Sequence, residues 1–179
     1  MSKITVVSSS LRTKSTSRTV LEEVLKGLKD NKHDVELVDL RKIELNFCKG
    51  CMACQELGKC AINDGVNNVL PIVNDSEIIV FVTPIYYYSI SGQLKTLLDR
   101  MNALYTSETR KFKKVYAVFT CADDQLSAIE GPKKAIEGWV ECFDGVELVD
   151  TFNGLCLNEV EDIDEETLKK AYSFGKAIK

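Results

Sequence analysis

The sequence predicts a three-layer α/β/α domain built on a five-stranded parallel sheet of strand order 2-1-3-4-5, and three observations carry that prediction. Five β-rich runs alternate with segments of helical spacing along the chain. Strand, helix and parallel strand in succession form a right-handed crossover, so strict alternation covers both faces of the sheet with helices. The third and fourth runs are apolar throughout, as strands buried on both faces must be, whereas the second alternates and suits an edge.

The first run, Ile4 to Val7, leads into a helix whose Val20, Leu21, Val24, Leu25 and Leu28 share one face at three-and-four spacing. The second run, Val35 to Val38, is followed by a helical segment around Val66 to Val73. That segment carries Pro71, which removes a backbone donor and should kink or restart the helix. The third run, Ile78 to Val82, precedes a helix marked by Ile90, Leu94, Leu97, Leu98 and Met101. The fourth, Val115 to Phe119, precedes one marked by Ala128, Ile129, Ile136, Val140 and Phe143. The fifth, Val146 to Phe152, precedes a last helix bearing Leu168, Ala171, Tyr172 and Ile178. With no repeat, low-complexity tract or Pro/Gly/Ser linker, residues 1–179 are expected to form a single domain.

Composition narrows the function classes. An apolar fraction of 45% and a charged fraction of 28% are globular values, which argues against disorder. A net charge of −4 without a clustered Lys/Arg stripe gives no electrostatic footprint for a phosphate backbone, so no nucleic-acid partner is expected. No apolar run approaches the ~20 residues of a spanning helix. The N-terminus enters a strand at once without a cationic and hydrophobic leader, so the expectation is no membrane and a cytoplasmic location. The single histidine, His33, falls in the polar turn Asp30 to Asp34, where a solvated surface role is expected.

In order 2-1-3-4-5 the chain reverses direction between the first and third strands, and the loops after those two strands line the ligand crevice. The first loop, Ser8 to Thr19, is dense in hydroxyls, carries Arg12, Lys14 and Arg18, and runs into a helix N-terminus, where free N–H groups and the helix dipole favour a phosphate. The bland alternative is that these hydroxyls only cap the helix. The loop has no glycine, which rules out both the Walker-type cradle and the GxGxxG dinucleotide turn. It has no cysteine nucleophile for a phosphatase, and Thr83-Pro84 stands where a receiver domain needs an aspartate. The second loop offers Tyr86, Tyr87 and Tyr88, whose faces and hydroxyl tips suit a flat ring system.

Seven cysteines without a secretory leader point to metal or redox chemistry more than to a disulfide framework. Cys121, Cys142 and Cys156 stand singly in apolar surroundings and read as small core residues. Cys48, Cys51, Cys54 and Cys60 form a local run of spacing x2, x2, x5. Three thiolates at two-residue intervals on a turning backbone suit one cubane cluster, and zinc fits less well because its structural sites pair two separated knuckles. Free thiols or a redox-active pair remain the alternative.

Ser9-Ser10-Leu11-Arg12 with Ser15, Thr16 and Ser17 resembles the Gly-Ser-Pro-Arg loop of the flavodoxin-like NAD(P)H-dependent FMN reductases, with Ser9 and Leu11 at the usual glycine and proline positions. Thr83-Pro84-Ile85-Tyr86, with Ser91-Gly92-Gln93-Leu94-Lys95 and Asp99-Arg100, is similar to their second flavin loop. The cysteine run resembles the compact ligand motif of the iron–sulfur flavoproteins in the same superfamily. The resemblance implies a flavodoxin-like fold and FMN. Ser9, Ser10, Arg12, Ser15, Thr16 and Ser17 would hold its phosphate and ribityl end, and Pro84, Ile85, Tyr86, Tyr87, Tyr88 and Ser89 would face its isoalloxazine. The stretch Thr120-Cys121-Ala122-Asp123 would form a third wall, and Cys48, Cys51, Cys54 and Cys60 would be ligands to a 4Fe-4S cluster. It implies hydride transfer from NAD(P)H to flavin N5, with no protein acid or base needed, and electrons passed to a small acceptor, a redox protein or the cluster. Relatives of this kind are dimers or tetramers. The rival functions are a flavin electron carrier without nicotinamide turnover, and a thiol-based redox or metal sensor.

Overall fold

A computed structural model describes residues 1–179. Its elements in chain order are β1 (Lys3–Ser8), α1 (Thr16–Asp30), β2 (Asp34–Asp39), α2 (Cys54–Leu57), α3 (Val66–Asp75), β3 (Ile78–Tyr86), β4 (Ser89–Ile90), α4 (Gly92–Arg100), β5 (Lys114–Thr120), α5 (Ser127–Val140), β6 (Glu147–Gly154) and α6 (Glu165–Ala177). The main sheet is parallel with order β2-β1-β3-β5-β6, which is the predicted order with one short strand added. That addition, β4, pairs antiparallel with the end of β3. Ile90 therefore belongs to a hairpin strand rather than to the helix its spacing suggested, because Ser91 caps α4 immediately after it.

Strand period two divides the core. Ile78, Val80 and Val82 of β3 face a layer with Val20, Leu21 and Val24 of α1 and Ala171 of α6. Ile79 and Phe81 face the opposite layer with Val69, Val73, Leu94, Leu97 and Ile136 of α3, α4 and α5. The central strands are apolar throughout because both faces are covered.

Three further readings from the sequence need correction. The helix α3 runs unbroken through Pro71: Val66, Val69, Leu70 and Val73 anchor its inner stripe, and the proline stands on the exposed face. His33 is half-buried and ties the two chain ends together, accepting the N–H of Ser2 at Nδ1 (3.2 Å) and meeting the carbonyl of Ile178 at Nε2 (3.1 Å). Of the three scattered cysteines only Cys121 is buried. Cys142 lies in the turn after α5 and Cys156 in a left-handed conformation (φ 58°) after β6, so apolar neighbours in sequence did not make them core. No helix is long and apolar enough to cross a membrane.

Candidate functional site

The reversal of chain direction falls between β1 and β3, and the loops after β1, β3 and β5 meet there. Each pair of loops is joined by hydroxyl chemistry. Ser91 donates to Ser9 Oγ at 2.9 Å, and Ser9 donates to the carbonyl of Val82 from both its amide (3.0 Å) and its hydroxyl (3.2 Å), fixing the first loop to the second. Ser17 Oγ and Thr120 Oγ1 lie 2.6 Å apart and fix the first loop to the third. Tyr88 donates its hydroxyl to Asp123 at 2.7 Å and fixes the second to the third. The amide of Gln125 and then the Tyr88 hydroxyl hold the Asp123 carboxyl below its ordinary range.

The first loop turns its donors free. Ser15 is the N-cap of α1, accepting from the amide of Arg18 while donating to Ser10 Oγ at 2.7 Å, and both serines are buried. From Ser10 through Ser15 no backbone N–H donates to any protein acceptor. The N–H groups of Thr16 and Ser17 open the helix and have no intrahelical partner. Ser8 Oγ, fully buried at the end of β1, also lacks a partner. A run of unpaired donors at a helix N-terminus suits an anion in charge and hydrogen bonding. Arg12 is engaged elsewhere, with the carbonyl of Asn158 (3.1 Å) and the carboxylate of Glu159 (2.8 Å), and Arg18 is held by Asp39 (2.8 Å). Lys14 is the loop's one cation without a carboxylate partner; its neighbour sequence singled out the loop, but nothing marked Lys14 over the two arginines.

The tyrosines form a hairpin turn and not an open loop. Tyr86 pairs with Ser89, and between them Tyr87 (φ 49°) and Tyr88 (φ 57°) occupy the left-handed region, the type I′ pattern that Asn-Gly usually supplies. Two tyrosines there store strain, of order 1–3 kcal/mol each. Tyr87 is fully exposed, and Tyr86 and Tyr88 are each about half exposed (47% and 53%). Pro84 is buried, with its carbonyl accepting from Thr83 Oγ1 at 3.0 Å, and Ile85 pairs with Ile90. In the third loop Thr120 and Cys121 are buried and Ala122 is exposed; burial pushes the Cys121 thiol up. Gly131 of α5 supports the turn: a Cβ there would stand 2.1 Å from the carbonyl oxygen of Tyr88. Gly131→Ala is therefore expected to shift the hairpin against α5, lowering stability by about 1–3 kcal/mol in urea unfolding. A stability equal to wild type would show that the turn is not held from behind.

The four cysteines of the local run line one cavity of about 340 Å³, with Asp99, Arg100 and Asn102 opposite them. The backbone there turns through left-handed residues at Gly50, Met52 and Gly58. Cys48 and Cys51 are exposed, Cys54 is buried and Cys60 is half-buried. Asn67 of α3 pins Cys60, accepting its amide and donating to its carbonyl, both at 3.0 Å. No three Cys, His, Asp or Glu side chains converge on a single ion position. Sulfurs are nevertheless met by donors: Arg100 Nε to Cys60 Sγ at 3.1 Å, Asn102 Nδ2 to Cys54 Sγ at 3.2 Å, and the Gly50 amide to Cys48 Sγ at 3.4 Å. Arg100 and Asp64 form a fully buried ion pair behind the cavity. Sequence reading missed Asp64 and Asn102 in this role, because nothing local announces a partner at that separation. The nine-residue α4 separates the cysteine cavity at Arg100 from the crevice at Ser91, a span of about 13 Å at 1.5 Å per residue.

The family profile described as NADPH-dependent FMN reductase matches residues 2–130. An iron–sulfur flavoprotein of Methanocaldococcus jannaschii is 33% identical over 102 residues, 57% of this chain and 53% of that protein. An iron–sulfur flavoprotein of Methanosarcina thermophila is 24% identical over 162 residues, 89% of this chain and 85% of that protein. The matches to the other curated relatives span between 32% and 64% of those proteins' length. Among solved structures, the NAD(P)H:quinone oxidoreductase from Methanothermobacter marburgensis superposes with a TM-score of 0.76 at 16% identity, covering 98% of this chain and 94% of that one, a likeness of fold.

Proposed function

The chain belongs to the NADPH-dependent FMN reductase family, and from that premise we propose that it is an FMN-dependent oxidoreductase. In this reading it takes a hydride from NAD(P)H and passes electrons to a small acceptor, a redox protein or an iron–sulfur cluster. The observation that carries it is the unbroken set of unpaired N–H groups between Ser10 and Ser17 at the switch point. FMN ends in a phosphate dianion, which such donors, the α1 dipole and the unpaired Lys14 cation suit in charge and chemistry.

When bound, FMN supplies hydride acceptance at its ring N5 and release of electrons singly or in pairs. The chain's part is to bind and orient. Ser10, Ser15, Thr16 and Ser17 surround the phosphate end, and Ser9 fixes the loop to Val82 and Ser91. Pro84, Ile85 and Ser89 shape the hairpin, and Tyr86 to Tyr88 offer aromatic surface to the ring. Thr120, Cys121 and Ala122 close the third side. No side chain is assigned as acid or base. Arg12 acts on this loop through its tie to Glu159.

Cys48, Cys51, Cys54 and Cys60 are proposed ligands to a 4Fe-4S cluster. A single zinc-like ion needs its ligands about one point, whereas a cubane takes one thiolate at each of four iron atoms, so four cysteines lining one cavity suit the larger group. The exposure of Cys48 and Cys51 favours a second reading, in which these are free thiols. We further propose that residues 1–179 act as one FMN-binding domain that assembles as a homodimer or homotetramer, since Phe47, Met52, Leu57 and Leu126 leave apolar surface exposed.

Protein purified without oxygen is expected to show a flavin spectrum, to oxidise NADH or NADPH, and to contain iron and sulfide. Each single Cys→Ser change at the four positions should lower or abolish the iron while leaving FMN uptake intact. Apoprotein that takes up no FMN sinks the oxidoreductase reading. Protein that binds FMN but no iron, even after reconstitution, sinks only the cluster.

A further inference from the structure

We propose that Arg100 and Asn102 are positioning residues for the iron–sulfur cluster, holding the sulfurs of Cys60 and Cys54 through side-chain N–H donors and thereby raising the cluster's reduction potential. This inference rests on the cluster reading above.

Arg100 is placed with little freedom. Its two terminal nitrogens bind both oxygens of Asp64 (2.8 and 2.9 Å) and reach the carbonyls of Asn46 and Ile62. Neither side chain of the Arg100–Asp64 pair is exposed at all. What is left of the guanidinium is the Nε–H, and it points at Cys60 Sγ. A neutral thiol is a weak acceptor, so a rigid charged donor spent on it makes physical sense when the sulfur carries negative charge. Asn102, two residues further on, repeats the arrangement with Cys54, where its carboxamide nitrogen is the donor. Both donors come from the end of α4 and the turn that follows it, an element that is otherwise core: Leu97, Leu98 and Met101 are buried around them. The donors are thus fixed by the fold and not by the cysteine segment they serve.

The direction of the effect follows from charge. Adding one electron to a cluster raises the negative charge on its ligand sulfurs, and an N–H dipole aimed at them stabilises the reduced state more than the oxidised one. Because Asp64 offsets the net charge of Arg100, the arginine acts as an oriented donor and less as a free cation. Replacing it by lysine keeps a cation beside Asp64 and removes the Nε–H from Cys60.

The test uses full-length protein carrying FMN, reconstituted anaerobically with iron and sulfide and titrated with dithionite. Cluster reduction is followed by electron paramagnetic resonance and the flavin by its absorbance. Asn102→Leu is expected to keep all four ligands and become harder to reduce, with the reduced-to-oxidised ratio at a fixed potential falling about tenfold, ~59 mV for a one-electron couple. Arg100→Lys should shift the same way, and the flavin midpoint should not move. Weaker iron retention in a folded Asn102→Leu protein also counts for the proposal. If Arg100→Lys does not fold, Asn102→Leu decides alone. A cluster-loaded Asn102→Leu protein with the wild-type midpoint and iron content overturns the proposal and leaves the cluster reading in place. Wild-type protein that takes up no iron overturns both.

Discussion

Replacing Ser10 by aspartate is expected to weaken FMN binding by at least a hundredfold while the protein stays folded. Ser10 is buried within the donor-rich loop, its hydroxyl bonded to the Ser15 N-cap. A carboxylate there captures the unpaired N–H groups that a phosphate needs and sets a like charge beside it. Two unit charges about 4 Å apart at an effective dielectric near 20 repel by about 4 kcal/mol, and a hundredfold loss needs only ~2.7 kcal/mol. The fold tolerates the change because an acidic group at a helix N-terminus is favoured by the dipole and by free amides. Ser10→Asn, similar in size and neutral, should lose far less. Fluorescence titration of apoprotein with FMN measures both, and circular dichroism confirms folding. Equal affinities for the aspartate and asparagine variants would remove the phosphate from this loop.

This loop illustrates what the sequence makes legible. Its hydroxyl density, lack of glycine and place between a strand and a helix are local features, and so are the runs that set the sheet order. What joins the loops is not local. Ser17 meets Thr120 across 103 positions and Ser9 meets Ser91 across 82, and no period or motif announces such a pair. The hairpin was hidden for a different reason. Its second strand, Ser89–Ile90, is too short to show alternation, and Ile90 happens to continue the helical spacing of Leu94, Leu97 and Met101. A turn of two tyrosines in the left-handed region also contradicts the usual turn residues. Such local contradictions concentrate where function outweighs propensity.

The cysteine segment shows the same division in its energetics. Four thiols at short spacing can be read from the chain, but Asp99-Arg100 stands out in it only through the resemblance to the second flavin loop, and nothing there ties the arginine to the cysteines. In the structure Arg100 is buried against Asp64, 36 positions earlier. Burial is affordable because every donor of the guanidinium finds an acceptor, a carboxylate, two carbonyls and a sulfur.

Asp64→Ala is accordingly expected to cost about 3–5 kcal/mol of unfolding free energy, because it leaves a buried guanidinium without its counter-charge. The loss reaches further than the pair. Asp64 also accepts the amide and side chain of Asn46 and the amide of Val66, so it fixes the start of α3 and the strand of chain that leads into Cys48. Replacing both members by apolar residues, which is often harmless for a buried ion pair, should rescue only in part here: the carbonyls of Asn46 and Ile62 would lose the Arg100 donor, and the amides of Asn46 and Val66 would lose their Asp64 acceptor. A pH dependence follows. Burial alone would push the Asp64 carboxyl up, but it is outweighed by hydrogen bonds from Arg100, Asn46 and Val66, and the value falls from 3.8 to about 2. A carboxyl depressed in the folded state contributes stability that is fully present above its unfolded value and is lost as pH falls through the folded one. Urea unfolding of the wild type should therefore weaken between about pH 4 and pH 2, and the slope over that window should be shallower in Asp64→Ala, though Asp39, also held near 2, contributes in both. An unfolding free energy for Asp64→Ala within about 1 kcal/mol of wild type would mean that Arg100 finds other compensation, and the account of the cysteine cavity as resting on this pair would fall.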